Sequence, residues 1–172
     1  MSIARHYFVL GGARSGKSLF AEKLTLNLAP SCSYLATARI WDDEMRDRIN
    51  EHKVRRGDEW LGFEEPIELA HQLKILNDQK QPVLVDCLTM WVTNLMMEEQ
   101  DVEAASDELI DVLKTLSVPV VFVSNEVGQG IVPDNKMARE FIDHTGLLHQ
   151  KISQAVDEVY FLTAGLPSKL KG

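Results

Sequence analysis

The sequence has little cysteine and no long apolar run, and both deficits narrow the class of protein. Its two cysteines, Cys32 and Cys87, are too few among 172 residues for a disulfide scaffold. The most apolar stretches, residues 88–97 and 118–123, are much shorter than the roughly 20 residues that a membrane helix needs. No basic-then-apolar leader precedes the first strand-like run, residues 7–10. We therefore expect a cytoplasmic protein with reduced thiols and no transmembrane segment.

The chain also lacks the surplus of basic residues that nucleic-acid binding favours. Lys and Arg number 18 against 26 Asp and Glu, which gives a formal net charge of −8 at pH 7. Because sequence-independent binding to a nucleic-acid phosphate backbone depends on Lys and Arg, we expect no nucleic-acid partner. Hydrophobic residues make up 45% and charged residues 26%, as in an ordinary globular protein, so disordered and fibrous classes are excluded. The length predicts a single domain that spans residues 1–172.

Short β-branched or aromatic runs alternate with longer amphipathic stretches along the chain. This alternation is typical of a parallel sheet covered by helices, so the fold class is α/β. The pattern predicts strands over residues 6–10, 33–37, 82–86, 118–123 and 159–163, and helices over 17–29, 42–57, from about 66, 102–116 and 135–156. Residues 169–172 are predicted to form a polar tail.

A glycine-rich motif follows the first predicted strand and precedes the first predicted helix. It matches G-x-x-x-x-G-K-[ST] at every specified position, and its residues are Gly11, Gly12, Ala13, Arg14, Ser15, Gly16, Lys17 and Ser18. The glycines let backbone N–H groups surround a polyphosphate, and the helix directs the positive end of its dipole there. The alternative is a glycine-rich turn that a basic residue follows by chance. With the flanking strand and helix, the motif instead predicts a P-loop NTPase (RecA-like) fold, a mostly parallel sheet with helices on both faces.

Two residues of the motif and one acid further along the chain have predicted roles at the phosphate site. Lys17 is expected to reach the outer phosphates of ATP or GTP, in a catalytic role. Ser18 would supply a hydroxyl group to Mg²⁺, and Asp86, at the end of an apolar strand, is placed like the acid that holds the water shell of that metal. The sequence therefore predicts Mg²⁺ as the cofactor.

A histidine lies between two arginines on the predicted helix over residues 42–57. Arg48, His52 and Arg56 are four residues apart, so their side chains form one stripe along the helix. Guanidinium groups bind phosphate oxygens, and a neutral imidazole can attack phosphorus. The arginines disfavour protonation of His52, whereas the nearby helix C-terminus favours it, so its charge stays open. A solvated, charged helix face is the alternative explanation of the spacing.

Several segments, in order, resemble the bifunctional adenosylcobinamide kinase / adenosylcobinamide-phosphate guanylyltransferase family. The resemblance covers nearly the whole chain, and its most specific part is N-E-V-G-Q-G-I-V-P at residues 125–133. The other matching segments are residues 11–18, 36–38, 42–45, 48–52 and 83–95. The resemblance implies an enzyme of cobalamin assembly that phosphorylates adenosylcobinamide with ATP or GTP. It then transfers GMP from GTP to that phosphate through a GMP-histidine, which yields adenosylcobinamide-GDP and pyrophosphate.

The resemblance also assigns residues and an assembly. The guanylylated histidine of the family corresponds to His52. The resemblance also implies a homotrimer with a corrinoid site between subunits. Residues Trp41 and Trp91 and the pair Met96 and Met97 fit either that interface or an ordinary core. The nucleotide contacts that it implies are the phosphate loop, Ala36, Thr37, Ala38, Lys53, Val54, Arg55, Arg56, Glu64 and Asp86.

Two other functions stay open at this point. A small-molecule kinase without guanylyl transfer would use Lys17, Ser18 and Asp86 but would leave the Arg48-His52-Arg56 stripe without a role. A GTP-binding switch is disfavoured because no N-K-x-D tetrad, which reads guanine, follows any predicted strand. A covalent GMP adduct distinguishes the bifunctional enzyme from the kinase.

Overall fold

The computed structural model describes residues 4–39 and 57–172. Its strands are β1 (Tyr7–Gly11), β2 (Cys32–Ala36), β3 (Trp60–Glu64), β4 (Val83–Asp86), β5 (Val120–Asn125), β6 (Glu158–Thr163) and β7 (Leu166–Lys171). Its helices are α1 (Lys17–Leu26), α2 (Leu69–Asn77), α3 (Leu88–Met97), α4 (Val102–Leu113) and α5 (Lys136–Ala155). All five predicted strands are present with bounds within two residues, while the predicted helix over 42–57 lies almost wholly outside the described residues.

The described strands form one seven-stranded sheet in the order β3-β2-β4-β5-β1-β6-β7. Strands β1 to β6 pair in parallel, and β7 pairs antiparallel with β6. The central strands β1 and β5 are apolar and buried because both of their faces are covered. The predicted mostly parallel α/β fold is therefore confirmed.

Helices cover both faces of the sheet, as predicted. Alternate residues of one strand face opposite sides, so Phe8 and Val9 of β1 belong to different cores. Phe8 packs in a core with apolar residues of α2, α3, α4 and α5. Val9 packs in a second core with residues of α1, among them Ala21 and Leu24. The helix that follows the glycine-rich motif thus lies on the opposite face of the sheet from α2, α4 and α5.

The predicted polar tail at residues 169–172 is wrong, because most of it belongs to β7. A two-residue loop, Ala164 and Gly165, reverses the chain after β6, and both residues have positive φ, at 51° and 80°. Such angles are those of the tight loops that suit the twist of antiparallel strands. The ammonium group of Lys171 donates to the carbonyl oxygens of Ser153 and Gln154 at 2.9 and 3.0 Å. The charged side chain of Lys171, which suggested a solvated tail, therefore caps the C-terminal end of α5.

No helix in residues 4–39 or 57–172 has the length and apolar character needed to cross a membrane.

A buried histidine joins α5 to the end of β5. The Nε2 atom of His149 lies 2.7 Å from the Ser124 hydroxyl oxygen, and its ring centroid lies 5.3 Å from that of Phe8. Burial lowers the pKa of His149 to about 4, and the charge of Glu126 opposes that shift. The side chain is therefore a neutral, hydrogen-bonded part of the core.

This burial predicts an acid-dependent loss of stability. Between about pH 6.5 and pH 4 the unfolded chain binds a proton at residue 149 that the folded chain excludes, so the free energy of unfolding falls as the pH decreases. The contribution of His149 is at most about 3 kcal/mol. Urea unfolding at pH 7, 6 and 5 measures it, with His149→Gln as the comparison. A wild-type slope in His149→Gln would contradict this prediction.

Candidate nucleotide-binding site

The predicted site residues of four strands lie at one edge of the sheet. Because these strands are parallel, their carboxyl ends share that edge, which is where ligands of open α/β sheets bind. Ala36, at the end of β2, is in register with Glu64 of β3 and with Asp86 of β4. Gly11, at the end of β1, is in register with Asn125 of β5. The structure thus brings Ala36, Glu64 and Asp86 onto adjacent strand ends.

The glycine-rich loop connects β1 to α1, in the order that the motif predicts. The Ser15 N–H group donates to the Gly12 carbonyl oxygen at 3.3 Å, which closes the loop. Arg14 and Gly16 have positive φ, at 54° and 91°, and Gly16 is the residue that caps α1. Glycine adopts this backbone conformation without the steric cost of a side chain. The backbone N–H groups of the first turn of α1 therefore lie next to the loop.

The ammonium group of Lys17 lies against this loop. Its Nζ atom donates to the Gly12 carbonyl oxygen at 3.1 Å, and only 9% of the residue is exposed. Burial lowers the pKa of Lys17, while the nearby Cys87 and Asp86 side chains oppose that shift. A buried cation therefore faces the loop, near the predicted metal acid. This is the position that a catalytic lysine needs to act on phosphate oxygens.

The turn between β6 and β7 packs against the back of the loop. The Gly165 N–H group donates to the Ser15 carbonyl oxygen at 2.8 Å. A Cβ atom on Gly16 would lie 3.2 Å from the Gly165 Cα atom, and one on Gly11 would lie 2.9 Å from the Leu162 carbonyl oxygen. Glycine at positions 11 and 16 therefore allows the backbones to approach closely. The buried Ser15 hydroxyl oxygen has no hydrogen-bond partner among the described residues.

Asp86 is held at its side chain and at its backbone. The Tyr34 hydroxyl group donates to the Asp86 Oδ2 atom at 2.5 Å. The Thr37 N–H group donates to the Asp86 carbonyl oxygen at 3.1 Å. Sequence reasoning did not single out Tyr34, since a tyrosine in an apolar strand has the pattern of an ordinary core residue.

Thr37, one of the predicted nucleotide contacts, is fully buried. Its hydroxyl group donates to the Cys87 carbonyl oxygen at 2.6 Å and accepts from the Cys87 N–H group at 3.0 Å. The amide nitrogen of Asn94 donates to the Thr37 carbonyl oxygen at 2.7 Å. The side chain of Thr37 thus bonds to the backbone after Asp86, while its neighbours Ala36 and Ala38 are half-buried.

The last residue of β5 and the residue after it contact the start of α3 and the glycine-rich motif. The Asn125 amide nitrogen donates to the Thr89 hydroxyl oxygen at 2.8 Å, and that oxygen lies 3.1 Å from the Cys87 Sγ atom. The Glu126 N–H group donates to the Gly11 carbonyl oxygen at 3.0 Å. The start of the N-E-V-G segment is therefore tied to the site, which the sequence resemblance alone did not explain.

The remaining predicted residues divide into two groups. Glu64 is exposed at the end of β3, and Ser18 is half-buried in the first turn of α1. The candidate nucleophile and its neighbours lie within residues 40–56, outside the described part of the chain: His52, Lys53, Val54, Arg55 and Arg56.

The donor set suits Mg²⁺ bound together with a nucleotide. A phosphate-loop Mg²⁺ needs only one carboxylate and one hydroxyl group, because phosphate and water oxygens supply the rest. Asp86 and Ser18 are oxygen donors of those types, and no described residue donates to the Asp86 Oδ1 atom. Groups of three or more His, Cys, Asp or Glu side chains that could hold an ion without a nucleotide are absent from the described ranges. Ser18 and Asp86 therefore fit this group.

Comparison with known proteins identifies the family of the chain. The family model for cobinamide kinase / cobinamide phosphate guanyltransferase matches residues 7–170. The chain belongs to this family. It is 43% identical over 166 residues to the bifunctional adenosylcobalamin biosynthesis protein CobP of Pseudomonas aeruginosa. This alignment covers 95% of this chain and 96% of that protein. It is 39% identical over 178 residues to the corresponding CobU of Salmonella typhimurium, with 95% and 98% covered.

Solved structures of much lower sequence identity show the same fold. A prototypical ATPase from the type III secretion system of pathogenic bacteria superimposes with a TM-score of 0.60 at 10% identity. The match covers 98% of this chain and 57% of that one. The predicted P-loop NTPase fold is therefore confirmed. Membership of the family shows that the chain is a cobinamide kinase and cobinamide phosphate guanylyltransferase.

Proposed function

We propose that the site at the carboxyl edge of the sheet carries out both reactions of this bifunctional enzyme on adenosylcobinamide. The observation that carries the proposal is the placement of Lys17 in the glycine-rich loop, with Asp86 at the end of a strand two positions away in the sheet. A phosphate-binding loop and a metal-holding acid are the parts that phosphoryl transfer requires. The substrates are ATP or GTP and the corrinoid.

In the kinase step, the hydroxyl oxygen of the corrinoid aminopropanol arm attacks the γ-phosphorus of the nucleotide. The new O–P bond forms as the bond from the γ-phosphorus to the β,γ-bridging oxygen breaks, so the nucleoside diphosphate leaves and the hydroxyl proton is released. Lys17 stabilises the charge on the phosphate oxygens. Mg²⁺, when bound, neutralises charge on the β- and γ-phosphates, and Ser18 and Asp86 are the residues that would hold it.

In the transfer step, an imidazole nitrogen of His52 attacks the α-phosphorus of GTP. Pyrophosphate leaves with the electron pair of the broken P–O bond, and the product is a phosphoramidate on His52. A phosphate oxygen of cobinamide phosphate then attacks the same phosphorus, which releases the imidazole and forms cobinamide-GDP. Arg48 and Arg56 flank His52 in the sequence and would balance the charge on the phosphates.

The metal role of Asp86 is tested by Asp86→Asn, a nearly isosteric change. We expect the variant to fold with a wild-type melting temperature but to lose most of its Mg²⁺-dependent phosphorylation of adenosylcobinamide, because an amide does not replace the charge of a metal-bound carboxylate. Rates over a Mg²⁺ titration, together with thermal melting, measure both properties. A variant that melts much earlier and retains wild-type specific activity would show that Asp86 is structural.

We also propose a homotrimer, as the family resemblance implies. Exposed apolar side chains support an assembly, since Ile131 is 96% and Val132 is 75% exposed. Helix α5, which begins at Lys136 shortly after them in sequence, and α3 border an apolar cleft of about 260 Å³. The cleft is lined by Thr93, Met96, Met97, Asn135, Met137, Ala138 and Phe141. Trp91 is buried and donates to the Ile67 carbonyl oxygen, so it belongs to the core.

We propose in addition that residues 1–172 act as one nucleotide-binding domain in the cytoplasm. The first described strand, β1, and the last, β7, belong to one sheet, which supports a single domain. Cys32 and Cys87 are buried free thiols, as is common in reducing compartments.

A further inference from the structure

The side chain of Tyr34 carries a buried hydroxyl group at the candidate metal site. Tyr34 is 4% exposed, and its ring packs edge-on against Trp60 with the centroids 5.8 Å apart. A phenylalanine would fill the same apolar space, whereas a buried hydroxyl group is costly unless it is hydrogen-bonded. It donates to the Asp86 Oδ2 atom at 2.5 Å, a distance typical of a hydroxyl group that donates to a carboxylate.

We propose that Tyr34 is a positioning residue, whose hydroxyl group fixes the Asp86 carboxylate in the orientation that the Mg²⁺–nucleotide complex requires. This inference rests on the proposed function, since it takes Asp86 as the acid of the metal site.

The sheet register explains why Tyr34 can perform this role. Tyr34 is in register with Leu84 of β4, and Asp86 is two residues further along that strand. Residues two apart in a strand face the same side, so Tyr34 and Asp86 are diagonal neighbours on one face. Tyr34 and Leu84 belong to the core beneath α1. The hydrogen bond therefore lies on the face of the sheet that carries the helix of Lys17 and Ser18.

The backbone of Asp86 is already fixed by other contacts, which leaves only its side chain to be oriented. Thr37 bonds to the Asp86 carbonyl oxygen and to both backbone polar groups of Cys87. Rotation of the carboxylate is then the remaining freedom, and the Tyr34 hydroxyl group restricts it by engaging Oδ2. Metal ligands oriented in this way lose less entropy on binding, and removal of such a partner typically lowers metal affinity by 10- to 100-fold.

The chain contains a matched control for this interaction. The Tyr160 hydroxyl group donates to the Glu158 Oε2 atom, also at 2.5 Å. Glu158 is in register with Tyr7, the first residue of β1, and so lies at the opposite edge of the sheet from Asp86. Tyr34→Phe and Tyr160→Phe therefore remove the same kind of hydrogen bond, at the carboxyl end and at the amino end of the parallel strands.

Calorimetric titration of a GTP analogue with a methylene group in place of the α,β-bridging oxygen tests the proposal without turnover, because His52 cannot displace pyrophosphate from it. We expect Tyr34→Phe to bind this analogue about 10-fold or more weakly at a Mg²⁺ concentration that saturates the wild type, and to bind it like the wild type in EDTA. Tyr160→Phe should bind the analogue like the wild type in both conditions. A Tyr34→Phe variant with wild-type affinity in Mg²⁺, or with an equal loss in EDTA, would overturn the proposal.

A double-mutant cycle separates this inference from the proposed function. If Tyr34 acts through Asp86, the Tyr34→Phe change should cause no further loss of Mg²⁺-dependent affinity in an Asp86→Asn background. If Asp86→Asn reduces that affinity but Tyr34→Phe does not, only the role of Tyr34 is overturned. If Asp86→Asn itself leaves the Mg²⁺ effect intact, the metal site of the proposed function fails, and the role of Tyr34 fails with it.

Discussion

Replacement of Lys17 by alanine is expected to slow the phosphorylation of adenosylcobinamide by at least about a hundredfold. The ammonium group lies in the glycine-rich loop, 3.1 Å from the Gly12 carbonyl oxygen, and it is largely shielded from solvent. In such a place a positive charge stabilises the developing phosphate charge more strongly than it would in water. A loss on the order of 3 kcal/mol of transition-state stabilisation corresponds to this change in rate.

Steady-state kinetics with ATP and with GTP measure the effect of Lys17→Ala. Lys23→Ala is the matched control, because Lys23 lies on the same helix and its side chain is exposed. We expect the control to retain wild-type kinetics. A folded Lys17→Ala enzyme with near-wild-type turnover would show that the loop does not bind the transferred phosphate.

The second large effect is expected at His52. His52→Ala should abolish guanylyl transfer but leave the phosphorylation of adenosylcobinamide measurable, because only the transfer step needs a nucleophilic ring nitrogen. His52→Asn is the stricter variant, since it keeps a polar side chain of similar reach without that nitrogen. Separate assays of adenosylcobinamide phosphate and adenosylcobinamide-GDP formation measure the two steps.

The variants at His52 also distinguish the bifunctional mechanism from its alternatives. Guanylyl transfer that survives in His52→Asn would place the nucleophile elsewhere in the chain. Loss of both activities in a folded protein would make His52 a shared binding residue and would contradict the proposed division of roles.

The central strands and the phosphate loop could be predicted from the sequence because their signals are local. The runs at β1, β4 and β5 are apolar since they are buried on both faces, and Asp86 interrupts such a run at its end. A glycine-rich loop between a strand and a helix is likewise defined within a few residues. The placement of Lys17 against the loop backbone follows from that local order.

Two elements were not predicted because their sequences carry weak or conflicting signals. β3 is an edge strand with Leu61 exposed and Gly62 at its centre, so it shows neither an apolar run nor a clean alternation. β7 alternates lysine with exposed leucine and follows an Ala164-Gly165 turn rather than the Asn-Gly turn that marks a tight hairpin. Both strands depend on pairing with a neighbour for their conformation.

The contacts that orient the site depend on strand order and could not be predicted from local sequence. Tyr34 and Asp86 are 52 residues apart, and they meet only because β2 and β4 are neighbours in the sheet. Thr37 was expected to contact nucleotide, yet its hydroxyl group bonds to the Cys87 backbone. The structure thus shows contacts of individual side chains that the sequence resemblance did not give.

The proposed transfer of GMP through a histidine of this chain is tested with GTP that is labelled at the α-phosphorus. The protein is incubated with this GTP and Mg²⁺, denatured, and analysed for covalent label and for its position. We expect a label that is stable in base, labile in acid, and located at His52, as for a phosphoramidate. A wild-type protein that forms adenosylcobinamide-GDP without ever carrying such a label would contradict this proposal.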